Sequence, residues 1–162
     1  MELTVYAALC AGKTEHDAAY RLLALALERE LGMSARPAIA REEGGKPYFP
    51  ACPEICFNLS HSRGAVVCAL HDKPVGIDVE KVRPAPKRLA AGMDDEAFFR
   101  LWTAREATVK RAGQGVARLL RPFAPDPLCQ TLEGLLDGYI VTVCPSEAAA
   151  ARMVRLKDIV VS

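Results

Sequence analysis

Three stretches of this chain gather side chains able to do chemistry. The first is Val75-Gly76-Ile77-Asp78-Val79-Glu80, where two carboxylates alternate with apolar, mostly β-branched residues. Such a run reads as a strand. Successive strand side chains point to opposite faces, so Asp78 and Glu80 share one face and Ile77 and Val79 the other. Neighbouring carboxylates repel, so the pair calls for a compensating charge, either a basic neighbour or a metal ion. The second stretch is Trp102-Thr103-Ala104-Arg105-Glu106-Ala107-Thr108-Val109-Lys110. Its Glu106 and Lys110 share a helical face with Trp102 one turn before, and taken alone they read as an ordinary surface ion pair. The third is Ser60-His61-Ser62, where a strand at Ile55 to Leu59 runs into two hydroxyls and an imidazole that can all donate to an anion. Read locally, Asn58, Ser60 and Ser62 are also suited to satisfying turn backbone. Adjacent Ser and His seldom have the geometry of a nucleophile and its base, which argues against hydrolase chemistry here.

A further cation, Lys46, lies in Gly45-Lys46-Pro47-Tyr48-Phe49-Pro50. The proline after it biases the lysine to extended geometry, so its amine is presented rather than folded back onto a helix. Alone, it reads as a solvated lysine in a surface turn.

The elements that must position these groups follow from periodicity and punctuation. Leu3 to Leu9 reads as a strand. His16 to Leu31 is helical, with apolar residues at 19, 22, 23, 26 and 27, Arg21 and Arg29 projecting among them, and Gly32 as a stop. Pro37 to Ile39 begins a strand before the turn signal Gly44-Gly45. Ala65 to Leu70 is an apolar run, and Asp72-Lys73-Pro74 turns tightly into the Asp78 strand. Beyond Glu80, Lys81, Arg83, Pro84, Pro86, Lys87 and Arg88 read as a basic, proline-broken loop. Asp94 and Asp95 open a helix that runs to about Arg111 and stops at Gly113. Val116 to Phe123 mixes apolar and basic residues, prolines at 122, 125 and 127 break the chain, and Tyr139 to Cys144 and Met153 to Leu156 read as antiparallel strands. Helices and strands do not alternate in the βαβ manner, so the pattern favours α+β.

Composition bounds the function. With 162 residues the chain is one ordinary domain or two small halves sharing a core; 51% hydrophobic and 25% charged residues exclude a disordered polyelectrolyte. A net charge of +1 argues against a generic nucleic-acid binder. The six cysteines, at 10, 52, 56, 68, 129 and 144, lie mostly in apolar runs and read as buried thiols of a reducing compartment; Cys52 and Cys56 lack a second Cys/His pair to complete a zinc site. With neither a leader nor a membrane-length apolar stretch, a cytoplasmic protein away from the membrane is expected.

In order, Gly45-Lys46-Pro47, Phe57-Asn58-Leu59-Ser60-His61-Ser62, Gly76-Ile77-Asp78-Val79-Glu80-Lys81 and Trp102 to Lys110 resemble the motifs of the 4′-phosphopantetheinyl transferases of the surfactin-synthetase-activating type. Each motif is weak alone; four in the family's order are specific. The resemblance implies transfer of the phosphopantetheine arm of coenzyme A to a serine of an apo acyl or peptidyl carrier protein, with release of adenosine 3′,5′-bisphosphate. It also implies a monomer of two pseudo-symmetric α+β halves, each a small antiparallel sheet packed with a helix. Here they would be 1–72, contacting the nucleotide, and 73–162, carrying the metal site and catalytic helix.

By the same resemblance, Asp78, Glu80 and Glu106 would hold the metal, Glu106 would act as base directly or through water, and Lys110 would contact the α-phosphate. Lys46, Ser60 and His61 would hold the nucleotide end, with Arg21 and Arg105 as further phosphate contacts. The residue chemistry agrees: a pyrophosphate calls for Mg²⁺ on a few carboxylates plus substrate oxygens and water, and Mn²⁺ suits the same ligands. Two positions depart from the family pattern. Arg105 stands where lysine is usual, a planar fork in place of a flexible amine. The interval from Glu80 to Trp102 is shorter, in the region that helps receive the carrier, although its basic residues suit an acidic partner. A non-catalytic coenzyme A or nucleotide-binding module, and more distantly a phosphoanhydride hydrolase, are the alternatives these residues leave.

Overall fold

The computed structural model describes residues 1–11, 14–115, 119 and 122–160. The run Val116 to Phe123 thus lies largely outside the described residues. In chain order the elements are β1 (Thr4–Ala11), α1 (Glu15–Leu31), β2 (Ala40–Arg41), β3 (Pro47–Tyr48), β4 (Cys56–Ser62), β5 (Ala65–His71), β6 (Val75–Lys81), α2 (Lys87–Ala90), α3 (Asp95–Arg111), β7 (Gln130–Thr131), β8 (Tyr139–Pro145), β9 (Arg152–Arg155) and β10 (Ile159–Val160).

One topology occurs twice. In the first sheet β5 inserts between β1 and β4, and in the second β8 inserts between β6 and β7, all antiparallel. In each case the first strand is followed by a 17-residue helix, α1 or α3, before the remaining two. The fold is α+β with two related halves, as expected.

Alternation along the strands sets the layers. Val5, Ala7 and Val67 on one face of the first sheet pack against Ile77, Val79, Val141 and Val143 of the second. The opposite face of the first sheet, with Tyr6, Val66 and Leu70, takes Leu22, Leu23 and Leu27 of α1. The outer face of the second sheet, with Ile140, takes Phe98 and Phe99 of α3. Gly32 ends α1 in the left-handed region at φ +66°, its N–H on Glu28 O. Asp94 caps α3 by accepting from Ala97 N at 2.8 Å, with Asp95 and Glu96 in the first turn.

Four expectations change. Met153 to Leu156 is not antiparallel: after β8 the chain crosses to the free edge of β1, where β9 and then β10 both pair in parallel. Side-chain alternation is the same for either direction, so the sequence pattern could not separate them. The Pro37 to Ile39 segment precedes its strand, which begins at Ala40. The basic loop after Glu80 ends in the short helix α2. Of the six thiols only Cys68 and Cys144 are buried; Cys10, Cys52, Cys56 and Cys129 are half-buried.

Candidate active site

The two sheets meet where β4 lies beside β6, and there side chains replace a backbone ladder. Asn58 Oδ1 accepts from Ile77 N at 2.8 Å and Ser60 Oγ from Val79 N at 3.3 Å, so β4 satisfies the exposed edge of β6. The same hydroxyl donates to Asp78 Oδ1 at 3.0 Å, and Ser62 Oγ donates to Glu80 Oε2 at 3.2 Å. Ser60 and Ser62 therefore face carboxylates. His61, on the opposite face of the strand, meets Glu15 Oε2 through Nδ1 at 2.9 Å, and this opposition removes a Ser60–His61 nucleophile pair.

The Asp78 face of β6 is covered by α3, and Gly76 permits the approach. A Cβ there would stand 2.0 Å from Ala107 O and 2.5 Å from Arg111 N. Thr103 and Thr142 fix the helix to β8 through a buried hydroxyl pair at 2.8 Å. Helical spacing then delivers Glu106 and Lys110 to the carboxylates. Lys110 Nζ donates to Asp78 Oδ1 at 3.2 Å and to Ile77 O at 3.1 Å. Glu106 and Lys110, both half-buried, thus face the buried Asp78 rather than standing as an isolated surface ion pair.

Asp78 is only 3% exposed. Burial raises its pKa against the pull of Lys110. Its Oδ2 is buried and has no hydrogen-bond partner among the described residues. Glu106 lies against it and is pushed up to about 8, first by burial, then by the charge of Asp78 and a hydrogen bond with it. Two ionised carboxylates cannot donate to one another, so the Asp78–Glu106 hydrogen bond closes only when one of them carries a proton. A divalent cation would relieve the same deficit. Among the described residues no three His, Cys, Asp or Glu side chains close into a ready cage, and Glu80 Oε2 is held by Arg83 at 2.8 Å. Asp78 and Glu106 supply two adjacent carboxylates, to which a cation would have to add ligand oxygens and water, while Glu80 is engaged by Arg83 and Ser62.

A cavity of about 410 Å³ adjoins this cluster, and Lys110 belongs to both. Lys46 and His61 line it too, joined by His16, Tyr20 and Arg41. Lys46 is not presented as free: its ammonium donates to Val75 O at 3.1 Å and Arg111 O at 2.9 Å, tying the start of β6 to the end of α3, and burial lowers its pKa. Gly44 brings its loop against the end of α3, where a Cβ would lie 1.9 Å from Gly113 O.

Two named residues lie elsewhere. Arg21 opens on a second cavity with Arg29, Arg155 and Lys157. Arg105 donates from Nε to Phe123 O at 2.9 Å. Conversely, His16, Tyr20 and Arg41 escaped the sequence reading. The first two are four apart on α1 with rings 4.9 Å between centroids, a spacing legible in retrospect; Arg41 had no local signal.

No family model matches the chain. Individual relatives do. Over 132 residues it is 37% identical to the 4′-phosphopantetheinyl transferase AcpT of Salmonella typhimurium, covering 69% of each chain. It is 31% identical over 147 residues to the 4′-phosphopantetheinyl transferase psf-1 of Bacillus pumilus, covering 71% of this chain and 63% of that one. To the 4′-phosphopantetheinyl transferase Sfp of Bacillus subtilis it is 35% identical over 99 residues, covering 51% and 44%. The chain thus spans about half to under two thirds of the length of these Bacillus relatives.

Proposed function

This chain belongs to the 4′-phosphopantetheinyl transferase family, and on that premise we propose that it transfers the phosphopantetheine arm of coenzyme A to a serine of an apo acyl or peptidyl carrier protein, releasing adenosine 3′,5′-bisphosphate. The observation that carries this reading is the buried Asp78, with Glu106 against it and Lys110 bonded to it, the lysine also lining the 410 Å³ cavity. The cavity takes coenzyme A, with Lys46 and His61 on its nucleotide side. The division of labour falls near residue 73, nucleotide contacts before it and the catalytic helix after it.

Asp78 and Glu106, joined by Glu80 once it leaves Arg83, would hold Mg²⁺, or Mn²⁺, which would neutralise charge on the pyrophosphate when bound. In its ionised form Glu106 takes the proton from the carrier serine Oγ as that oxygen attacks phosphorus, and its raised pKa makes that carboxylate a stronger proton acceptor than a free one. Lys110, already at Asp78, faces the leaving phosphate and offsets its charge. Asn58 and Ser60 keep β6 in register so that Asp78 stays under α3. Lys46 holds the end of α3 against β6. On α2, Lys87 and Arg88 beside exposed Leu89 present a basic, partly apolar face suited to an acidic carrier. The enzyme works as a cytoplasmic monomer.

The test combines purified protein, coenzyme A, Mg²⁺ and a panel of apo carrier proteins, read by intact mass. One carrier at least gains one phosphopantetheine. Coenzyme A binding with no mass gain on any carrier would refute transfer.

A further inference from the structure

Two thiols outside the carboxylate cluster are placed for chemistry of their own. Gln130 pairs with Val143 across β7 and β8, and Leu132 N donates to Val141 O at 2.8 Å. Counting back along that antiparallel register sets Cys129 opposite Cys144, and alternation from the hydrogen-bonded 132–141 pair makes 129–144 a non-hydrogen-bonded position. At such positions Cα atoms are roughly 4.5 Å apart and side chains approach closely, within the roughly 4.4–6.8 Å span that a disulfide bridges. The side chains bear this out. Thr108 Oγ1 lies 3.3 Å from Cys129 Sγ and 3.9 Å from Cys144 Sγ, so both sulfurs converge on one hydroxyl of α3.

The two thiols differ in access and environment. Cys129 is half-buried, whereas Cys144 is fully buried under α3 with Arg111 Nη1 3.3 Å from its sulfur. Their mutual hydrogen bond lowers Cys129 to about 7, with Thr108 adding to it, and raises Cys144. A reachable thiol of thiolate character beside a shielded partner is the arrangement of an attacking and a resolving cysteine.

We propose that Cys129 and Cys144 form a redox-active dithiol, which a small disulfide such as oxidised glutathione converts into an intrachain disulfide by way of a mixed disulfide on Cys129. The Cys129 thiolate attacks one sulfur of the small disulfide, forming one S–S bond and expelling a thiolate. Cys144 gives up its proton and attacks Cys129 Sγ, expelling the second thiolate. The protein loses two electrons and two protons, and the small disulfide is reduced to two thiols. The bridge fastens the residue before β7 to β8 beside Thr108 of α3. This inference does not depend on the proposed transfer reaction.

The test is treatment of the full chain with oxidised glutathione under native conditions, followed by intact mass and non-reducing peptide mapping. Wild type should lose about 2 Da and yield a peptide linking Cys129 to Cys144. Cys144→Ala should instead retain one glutathione on Cys129, because nothing resolves the adduct, and Cys129→Ala should leave Cys144 unmodified. A wild-type map in which both cysteines remain alkylatable, or in which glutathione stays on Cys129, overturns the proposal. That map decides the matter even if a variant fails to fold.

Discussion

The two halves repeat one topology, yet their helices cover unlike faces. Under α1 the first sheet offers Tyr6, Val66, Cys68 and Leu70, and the helix answers with Ala18, Leu22, Leu23, Ala26 and Leu27. Under α3 the second sheet offers Gly76, Asp78, Glu80, Thr142 and Cys144, and the helix answers with Thr103, Glu106, Lys110 and Arg111. One interface is filled by area removed from water; the other adds to its Phe98–Phe99–Ile140 cluster a layer of polar contacts that need partners. A buried polar layer is costly unless every group is satisfied. At the second helix Asp78 Oδ2 has no partner among the described residues, and the proposed cation site is placed there.

If the contrast is right, mutations in the two interfaces separate activity from stability. The largest effect is expected at Asp78. Asp78→Asn should cut transfer by about 10³-fold or more, the loss of several kcal/mol of charge stabilisation, while circular dichroism stays native. Unchanged transfer would remove Asp78 from the reaction. In the other interface, Leu22→Ala should cost about 2–5 kcal/mol of stability in urea unfolding with transfer intact at low temperature; a transfer defect there would show the halves to be less separable than their chemistry implies.

Glu106 sharpens the comparison through pH. Its folded value of about 8 lies above the ordinary 4.5. Stability linked to it is therefore fully present below about 4.5 and is lost as pH rises through 8. Without divalent cations the wild-type Tm should fall across that window, and Glu106→Gln should flatten this part of the decline. Added Mg²⁺ at pH 8 should raise the wild-type Tm and leave Glu106→Gln nearly unmoved. A wild-type Tm indifferent to Mg²⁺ would count against the open metal site.

The smallest effect belongs to the anchoring hydroxyls. Thr103→Val leaves Thr142 Oγ1 without its 2.8 Å partner and should cost about 1–3 kcal/mol, the penalty for a buried unpaired polar group. A stability loss in differential scanning calorimetry without any change in the Glu106 pH profile would separate clamp from chemistry.

Strand and helix character, the Asp78/Glu80 alternation and the Glu106–Lys110 spacing were all legible from residues alone, because periodicity and capping are local. So was the family, since four short motifs keep their order. What sequence could not decide was where each side chain finds its partner. Lys46 read as an outward amine but closes the end of α3 onto β6, and Ser60 and His61, neighbours in the chain, serve opposite faces. The β9 direction followed from where the returning chain reaches β1, with Arg152 beside Thr4 at the start of that strand. The meeting of Asp78 with Glu106 likewise needed Gly76, whose missing side chain sets the helix-to-strand distance. Residue types and local period come from the chain itself; the burial that makes a carboxylate want a proton or a metal exists only once distant segments have packed.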